Sequence, residues 1–181
     1  MTATRVMTAQ ELLALPDDGQ QSELVRGELV VLPFHSAGEG RVIARLAWSI
    51  GAHVNGHDLG DVFLGGTGCI LARDPDTVRA PDIALVASHR LPLADEDGFL
   101  PFAPDLVVEA PVIEETFNYI LEKVLQYLDA GARMVVVVVP RREVLMVYGP
   151  DRVARVLGVG DVFDGGDVLP GFRLAVGEIF E

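Results

Sequence analysis

The chain has 181 residues, half of them hydrophobic, with 14 Lys and Arg against 27 Asp and Glu and a net charge of -13. That length suits one domain, residues 1–181, because two halves would each sit near the lower end of the domain size range. The acidic excess works against long-range attraction to phosphate backbones, and a single cysteine, Cys69, excludes an intramolecular disulfide or a multi-cysteine zinc site and suits core packing.

Mean hydropathy is +0.34, yet no apolar run approaches the roughly 20 residues of a membrane helix. The opening MTATRVMTAQELLAL has neither an apolar core nor a cleavage site of the secretory type, so a cytoplasmic protein without membrane attachment is expected. Thr8-Ala9-Gln10-Glu11 has the form of a capping box and precedes Leu12, Leu13 and Leu15, which predicts a short helix ending near Pro16 and a turn at Asp17-Asp18-Gly19. SELVRGELVVLP reads as two short strands around Arg26-Gly27. Over residues 39–54, Val42, Ile43, Leu46, Ile50 and Val54 recur at helical spacing, with Asn55-Gly56 as the expected left-handed cap.

From Asp61 to Ala87 the pattern becomes strand-like, as DVFLGG, GCILAR and VRAPDIALVA, broken by Gly65-Gly66, Gly68 and Asp74-Pro75-Asp76. A polar loop with Asp95, Glu96 and Asp97 precedes another strand, DLVVEA. Residues 114–130 then place Phe117, Ile120, Leu121, Val124 and Leu128 on one apolar stripe of a third helix, stopped by Gly131. MVVVVVP, EVLMVYGP, RVARVLGV and FRLAVGEIF follow, all strand-like. The expected class is α/β, a mixed β-sheet with flanking helices, and the apolar C-terminal strands suit a homodimer.

Lys123 is the only lysine in a chain whose other cations are arginine. Helical geometry puts it beside Ile120 and Tyr127, at the edge of the apolar stripe. The carboxylates that can meet it are Asp82 in RAPDIALV and Glu109 in DLVVEA, each in an apolar strand segment where an ionised group is costly unless paired or bound to metal. Oxygen donors without a cysteine or histidine set favour Mg²⁺ or Mn²⁺ over zinc. Such an ion, held by two carboxylates, polarises a phosphate oxygen and lowers the pKa of water. A lysine beside it can orient the water or stabilise charge on phosphorus, where the wide arginine fork is a poor substitute.

These residues resemble the Uma-two family, described as putative restriction endonucleases and a branch of the PD-(D/E)XK nuclease superfamily. The resemblance runs through MTAQELLALPDDGQQSELVRGELV, APDIALV, DLVVEA, EKVLQYLDAGA and DVLPGFRLAVGEIF, so it spans essentially the whole chain. It implies the restriction-endonuclease-like fold and a metal-dependent endonuclease acting on DNA, or a descendant of one. By the same resemblance Asp82 matches the aspartate of the PD motif, Glu109 the strand acid, and Lys123 a motif lysine displaced onto the following helix. Glu28, in RGEL, matches an early acidic position that joins Asp82 and Glu109 at the metal, with a hairpin residue facing water as the equal alternative. Departures surround this trio: Pro111-Val112-Ile113-Glu114 replaces a Leu-Ser-Pro-Ser pattern, Tyr119 and Val139 stand for aspartates, and Glu39 for a histidine. A catalytically inactive nuclease-fold protein serving as a binding or assembly module is the alternative function. Any DNA binding is expected to be weak and salt-sensitive.

Other motifs carry less. Glu23 resembles Glu28 in kind but neighbours Leu24, which fits a buried face better. His53 and His57 have zinc-pair spacing with Gly56 between them and no HExxH glutamate, so helix-end histidines are expected. Gly65-Gly66-Thr67-Gly68 lacks the lysine and helix of a P-loop and reads as a turn. Ser49 and Ser88 have no histidine-acid partners in sequence. Arg141, Arg142, Arg152 and Arg155 read either as a basic face across adjacent strands or, the favoured reading, as solvated edge residues that deter strand aggregation.

Overall fold

A computed structural model describes residues 6–16, 19–95, 97–112 and 116–181. Asp17 and Asp18 of the expected turn, Glu96 of the polar loop, and Ile113, Glu114 and Glu115 at the expected start of the third helix lie outside the described residues.

The first helix, α1 (Ala9–Leu13), carries the expected capping box, with Thr8 and Glu11 satisfying each other's backbone N–H groups. Strands β1 (Ser22–Val25) and β2 (Glu28–Val31) form the expected hairpin. Arg26 and Gly27 take φ of 50° and 80°, the left-handed pair that a two-residue hairpin turn requires. Helix α2 (Ala37–Gly56) is longer than expected at both ends. Ser36 and Glu39 form a second capping box, and the helix continues through Gly56 to a cap at His57, so Asp58 rather than Gly56 takes the positive φ.

Strands β3 (Gly60–Leu64) and β4 (Cys69–Ala72) follow. The expected strand VRAPDIALVA is divided into β5 (Thr77–Arg79) and β6 (Ile83–Ala87), because Pro81 cannot donate a ladder hydrogen bond. Strand β7 (Leu106–Glu109) precedes helix α3 (Phe117–Asp129), after which come β8 (Met134–Val139), β9 (Val144–Tyr148) and β10 (Ala154–Leu157). The chain closes with β11 (Val162–Asp164), β12 (Arg173–Ala175) and a helical turn α4 (Gly177–Phe180). FRLAVGEIF is therefore strand only in part: Phe172, Leu174 and Val176 alternate, but Val176 and Ile179 are buried at helical spacing.

The strands form a six-stranded sheet ordered β10-β9-β8-β7-β6-β3, a four-stranded sheet ordered β2-β1-β5-β4, and a β11-β12 ribbon. The fold is thus mixed α/β with flanking helices. Only β7 and β8 pair in parallel in the large sheet, and α3 is the crossover that a parallel pair needs. The two faces of that sheet are read directly from alternation. Leu106, Val108, Val136 and Val138 face α2 and the C-terminal ribbon, while Val107, Val135 and Val137 face α3. Phe163, Leu169, Phe172, Leu174 and Ile179 are consumed in the α2 core, so these apolar C-terminal side chains are used within the chain.

Cys69 is fully buried, and burial pushes its thiol up to about 12. Gly65-Gly66 turns the chain from β3 in one sheet to β4 in the other. No helix among the described residues is long and apolar enough to cross a membrane.

Candidate active site

Glu109 follows Val107 on the same side of β7, so alternation alone points its side chain toward α3. Ile83 pairs with Val108, and one more step along that antiparallel register brings Asp82 beside the end of β7. There the Ala110 N–H donates to Asp82 Oδ2 at 2.7 Å. Two carboxylates are therefore set side by side by strand register, without help from loop folding.

Helix α3 answers from above the sheet. Lys123 is only 4% exposed, at the centre of the buried face with Val124 and Tyr127. The expected position at the edge of the stripe is corrected: Phe117 is 60% exposed and Leu121 half-buried, because α3 meets the sheet through its Lys123 and Tyr127 side. Lys123 Nζ donates to Glu109 Oε2 at 2.8 Å, and Tyr127 Oη donates to Glu109 Oε1 at 2.9 Å.

The four-stranded sheet supplies the far wall. Glu23, in the central strand β1, is fully buried and lies 3.5 Å from Lys123 Nζ through Oε1. Its Oε1 also accepts the Ala80 N–H, and its Oε2 accepts Arg79 Nη1 at 2.6 Å. Arg79 in turn donates to Gln126 and Tyr119, while its Nη2 is buried without a partner among the described residues. Glu23 and Leu24 are both fully buried, since α1 covers the Leu24 face of β1 and α3 the Glu23 face.

Glu28 stands apart from this cluster. It sits at the turn end of β2, exposed, outside the cleft lining, and no hydrogen bond or ion pair joins it to Asp82, Glu109 or Lys123. His35, just before α2, takes the remaining place at the site: its Nε2 lies 2.8 Å from Asp82 Oδ1. The residue anticipated in place of a histidine, Glu39, is used instead in the α2 capping box.

The electrostatics follow from three carboxylates around few cations. Burial raises Glu109 most; Lys123 opposes this, while Glu23 and Asp82 add to it, leaving its carboxyl at about 7. For Lys123, burial pulls downward but Glu109 and Glu23 outweigh it, so the ammonium stays protonated. The hydrogen bond to Asp82 raises His35 above its ordinary value against the opposing effect of burial.

Asp82, Glu109 and Lys123 line one cleft with His35, Ala110 and Pro33, around about 30 Å³ of space. That is room enough to hold a water molecule. Among the described residues no group of three His, Cys, Asp or Glu side chains is arranged to hold a metal. Mg²⁺ asks for less, because it keeps several waters and binds through one or two carboxylates. Asp82 and Glu109 provide hard oxygen donors at this cleft, and a cation there would offset the crowding that raises Glu109. The residues fit Mg²⁺ or Mn²⁺ and not a structural zinc site.

The remaining motifs behave as ordinary structure. His53 donates to Pro170 O at 3.0 Å, and His57 to His53 O at 2.9 Å. Arg152 pairs with Asp129 and Arg155 with Asp151, which accounts for two of the four edge arginines.

Residues 9–177 match the Uma2 family, whose description is "Putative restriction endonuclease". A crystal structure described as "a putative nuclease belonging to DUF820" from Anabaena variabilis ATCC 29413 is similar with a TM-score of 0.82 and 21% identity, over 96% of this chain and 97% of that one. At that identity the likeness speaks for the fold. None of the curated proteins matches this sequence.

Proposed function

The chain belongs to the Uma2 family, and from that premise we propose that it is a metal-dependent endonuclease hydrolysing DNA phosphodiester bonds at the Asp82, Glu109 and Lys123 cleft. The observation that carries this reading is that those three side chains line one small cleft. Asp82 and Glu109 would hold Mg²⁺ or Mn²⁺, which supplies polarisation of a phosphate oxygen and activation of water.

The chain's own residues do the positioning. Tyr127 holds one oxygen of Glu109 and Lys123 the other, fixing the carboxylate toward Asp82. The Ala110 N–H and His35 fix Asp82 in the same way. Lys123 presents a compact ammonium that can donate to water or to a phosphate oxygen. Glu23, anchored by Arg79, holds that ammonium from behind. Because the Asp82 carboxylate accepts, His35 Nε2 carries the shared hydrogen, and protonation at Nδ1 would place a positive charge beside Asp82 and weaken its attraction for a cation.

A second reading, a catalytically silent nuclease-fold binding or assembly module, draws on the same Glu109, whose two oxygens are already satisfied by neighbours. Cleavage of supercoiled plasmid with Mn²⁺ or Mg²⁺, by native protein and by Asp82→Asn, separates the two. Metal-dependent nicking lost in Asp82→Asn is expected. No nicking by native protein across metals and substrates would leave the silent module.

A further inference from the structure

Among the described residues, the two most exposed large apolar side chains are Phe34, at 85%, and Trp48, at 79%. Exposure on that scale is unusual for aromatic residues, which bury large areas when they can. Neither is scattered at random. Phe34 lies between Pro33 and His35, both of which line the cleft. Ser36 then caps α2, and Trp48 lies on the exposed side of that helix.

Arg41 is exposed on the same side, seven residues before Trp48 and so only about 20° away around the helix. Ala37, Ala44 and Ala52, also exposed, leave that side without bulky obstruction. Arg45 lies beside the strip and bonds the C-terminal carbonyls of Ile179 and Glu181. From the start of α2 to Trp48 the rise is roughly 16 Å, about five nucleotide steps.

Charge singles out the same surface. Between Leu29 and His57 the sequence has one acid, Glu39, against Arg41 and Arg45, together with His35, His53 and His57, three of the chain's four histidines. Glu39 is buried in the capping box. In a chain of net charge -13, α2 itself thus carries no acidic side chain on its exposed face, and the nearest acids are those of the C-terminal segment that Arg45 holds, Glu178 and Glu181.

We infer that Phe34, Arg41 and Trp48 form the DNA-binding strip of this protein, running from the cleft along the outer face of α2. The inference rests on the nuclease reading above and adds the surface that would engage the substrate. Arg41 meets a phosphate, while Phe34 and Trp48 supply flat apolar faces for bases that are unstacked or splayed beside the cut. Phe34, one residue from His35, would meet the base nearest the scissile phosphate.

The single tryptophan makes this testable in the native protein. A labelled short DNA, single-stranded or duplex, is titrated with protein in Ca²⁺ and followed by anisotropy, while acrylamide quenching reports the accessibility of Trp48. Expected results are protection of Trp48 on binding, about tenfold weaker binding in Phe34→Ala and in Trp48→Ala, and a salt slope lower by about 1 in Arg41→Ala. DNA binding that leaves Trp48 fully quenchable and is unchanged in these variants would overturn the strip while leaving the nuclease reading intact. Absence of DNA binding by native protein that nonetheless cleaves plasmid would overturn the strip alone. Absence of both binding and cleavage would overturn both. A change of sedimentation in Trp48→Ala without DNA would assign this face to a second copy of the chain and also overturn the inference.

Discussion

Lys123 Nζ lies 2.8 Å from Glu109 Oε2, with both side chains buried between α3 and the end of β7. The pair cannot be treated as a surface ion pair of negligible value. Removing the ammonium leaves Glu109 and Glu23 facing each other in a low-dielectric site, a loss on the order of 3 kcal/mol. Uptake of a proton by Glu109 limits that loss. Lys123→Ala is therefore expected to lower the urea midpoint as well as abolish cleavage. Lys123→Arg is expected to abolish cleavage too, because a wider guanidinium must fit beside the fully buried Arg79. Urea unfolding and plasmid nicking on the two variants check this, and full nicking by Lys123→Arg would reduce Lys123 to a generic positive charge.

Tyr127 is the other donor to Glu109, and its hydroxyl is fully buried with its partner. Tyr127→Phe keeps the ring in its core position but leaves Glu109 Oε1 one donor short. A loss of about 1–2 kcal/mol follows from the unmade hydrogen bond, measurable by chemical denaturation. An unchanged midpoint would mean that the hydroxyl contributes nothing net.

Asp76 provides a pH dependence well away from the cleft. Its Oδ2 accepts the Ala9 N–H at 2.7 Å and Arg73 Nη1 at 3.0 Å, tying β5 to the start of α1. The Ala9 hydrogen bond is the largest cause holding its pKa below the ordinary aspartate value. A depressed folded pKa gives stability that is present above the unfolded value, about 3.9, and lost as pH falls through the lower folded value. Asp76→Asn is expected to be about 1 kcal/mol less stable near neutrality, because hydrogen bonds to a neutral acceptor are weaker than those to a carboxylate, and the gap should close in acid. A gap in Tm that stays constant from neutral pH to pH 3 would contradict this.

Any DNA affinity should fall steeply with salt, since a chain of net charge -13 has to bind phosphates through a few local arginines. Log affinity against log salt should be linear with a slope of roughly -2 to -3 for two or three phosphate contacts. Tight binding indifferent to ionic strength would contradict it.

Much of the fold was legible because periodicity and capping chemistry act locally. Thr8 with Glu11, Arg26-Gly27, and the spacing of Val42, Leu46, Ile50 and Val54 each specify an element over a few residues. Asp82, Glu109 and Lys123 were legible as charges set in apolar surroundings. Glu23 and Arg79 were not, because their burial depends on the four-stranded sheet meeting α3, a long-range event that local pattern does not encode. One local signal was available: Tyr119, Lys123 and Tyr127 recur at four-residue intervals, the spacing of one helix face. His35 lay in a stretch with no periodicity at all. Glu28 was open between two readings, because a matching acidic position says nothing about which end of a hairpin faces the cleft.

The most direct test of the central claim, that Asp82 and Glu109 beside Lys123 make one divalent-cation site, is calorimetric titration of Mn²⁺ into native protein and into Glu109→Gln, with circular dichroism confirming that both are folded. The predicted result is saturable binding to the native chain that weakens at least tenfold in Glu109→Gln. Equal binding by the two proteins, or no saturable binding by the native protein, would contradict it.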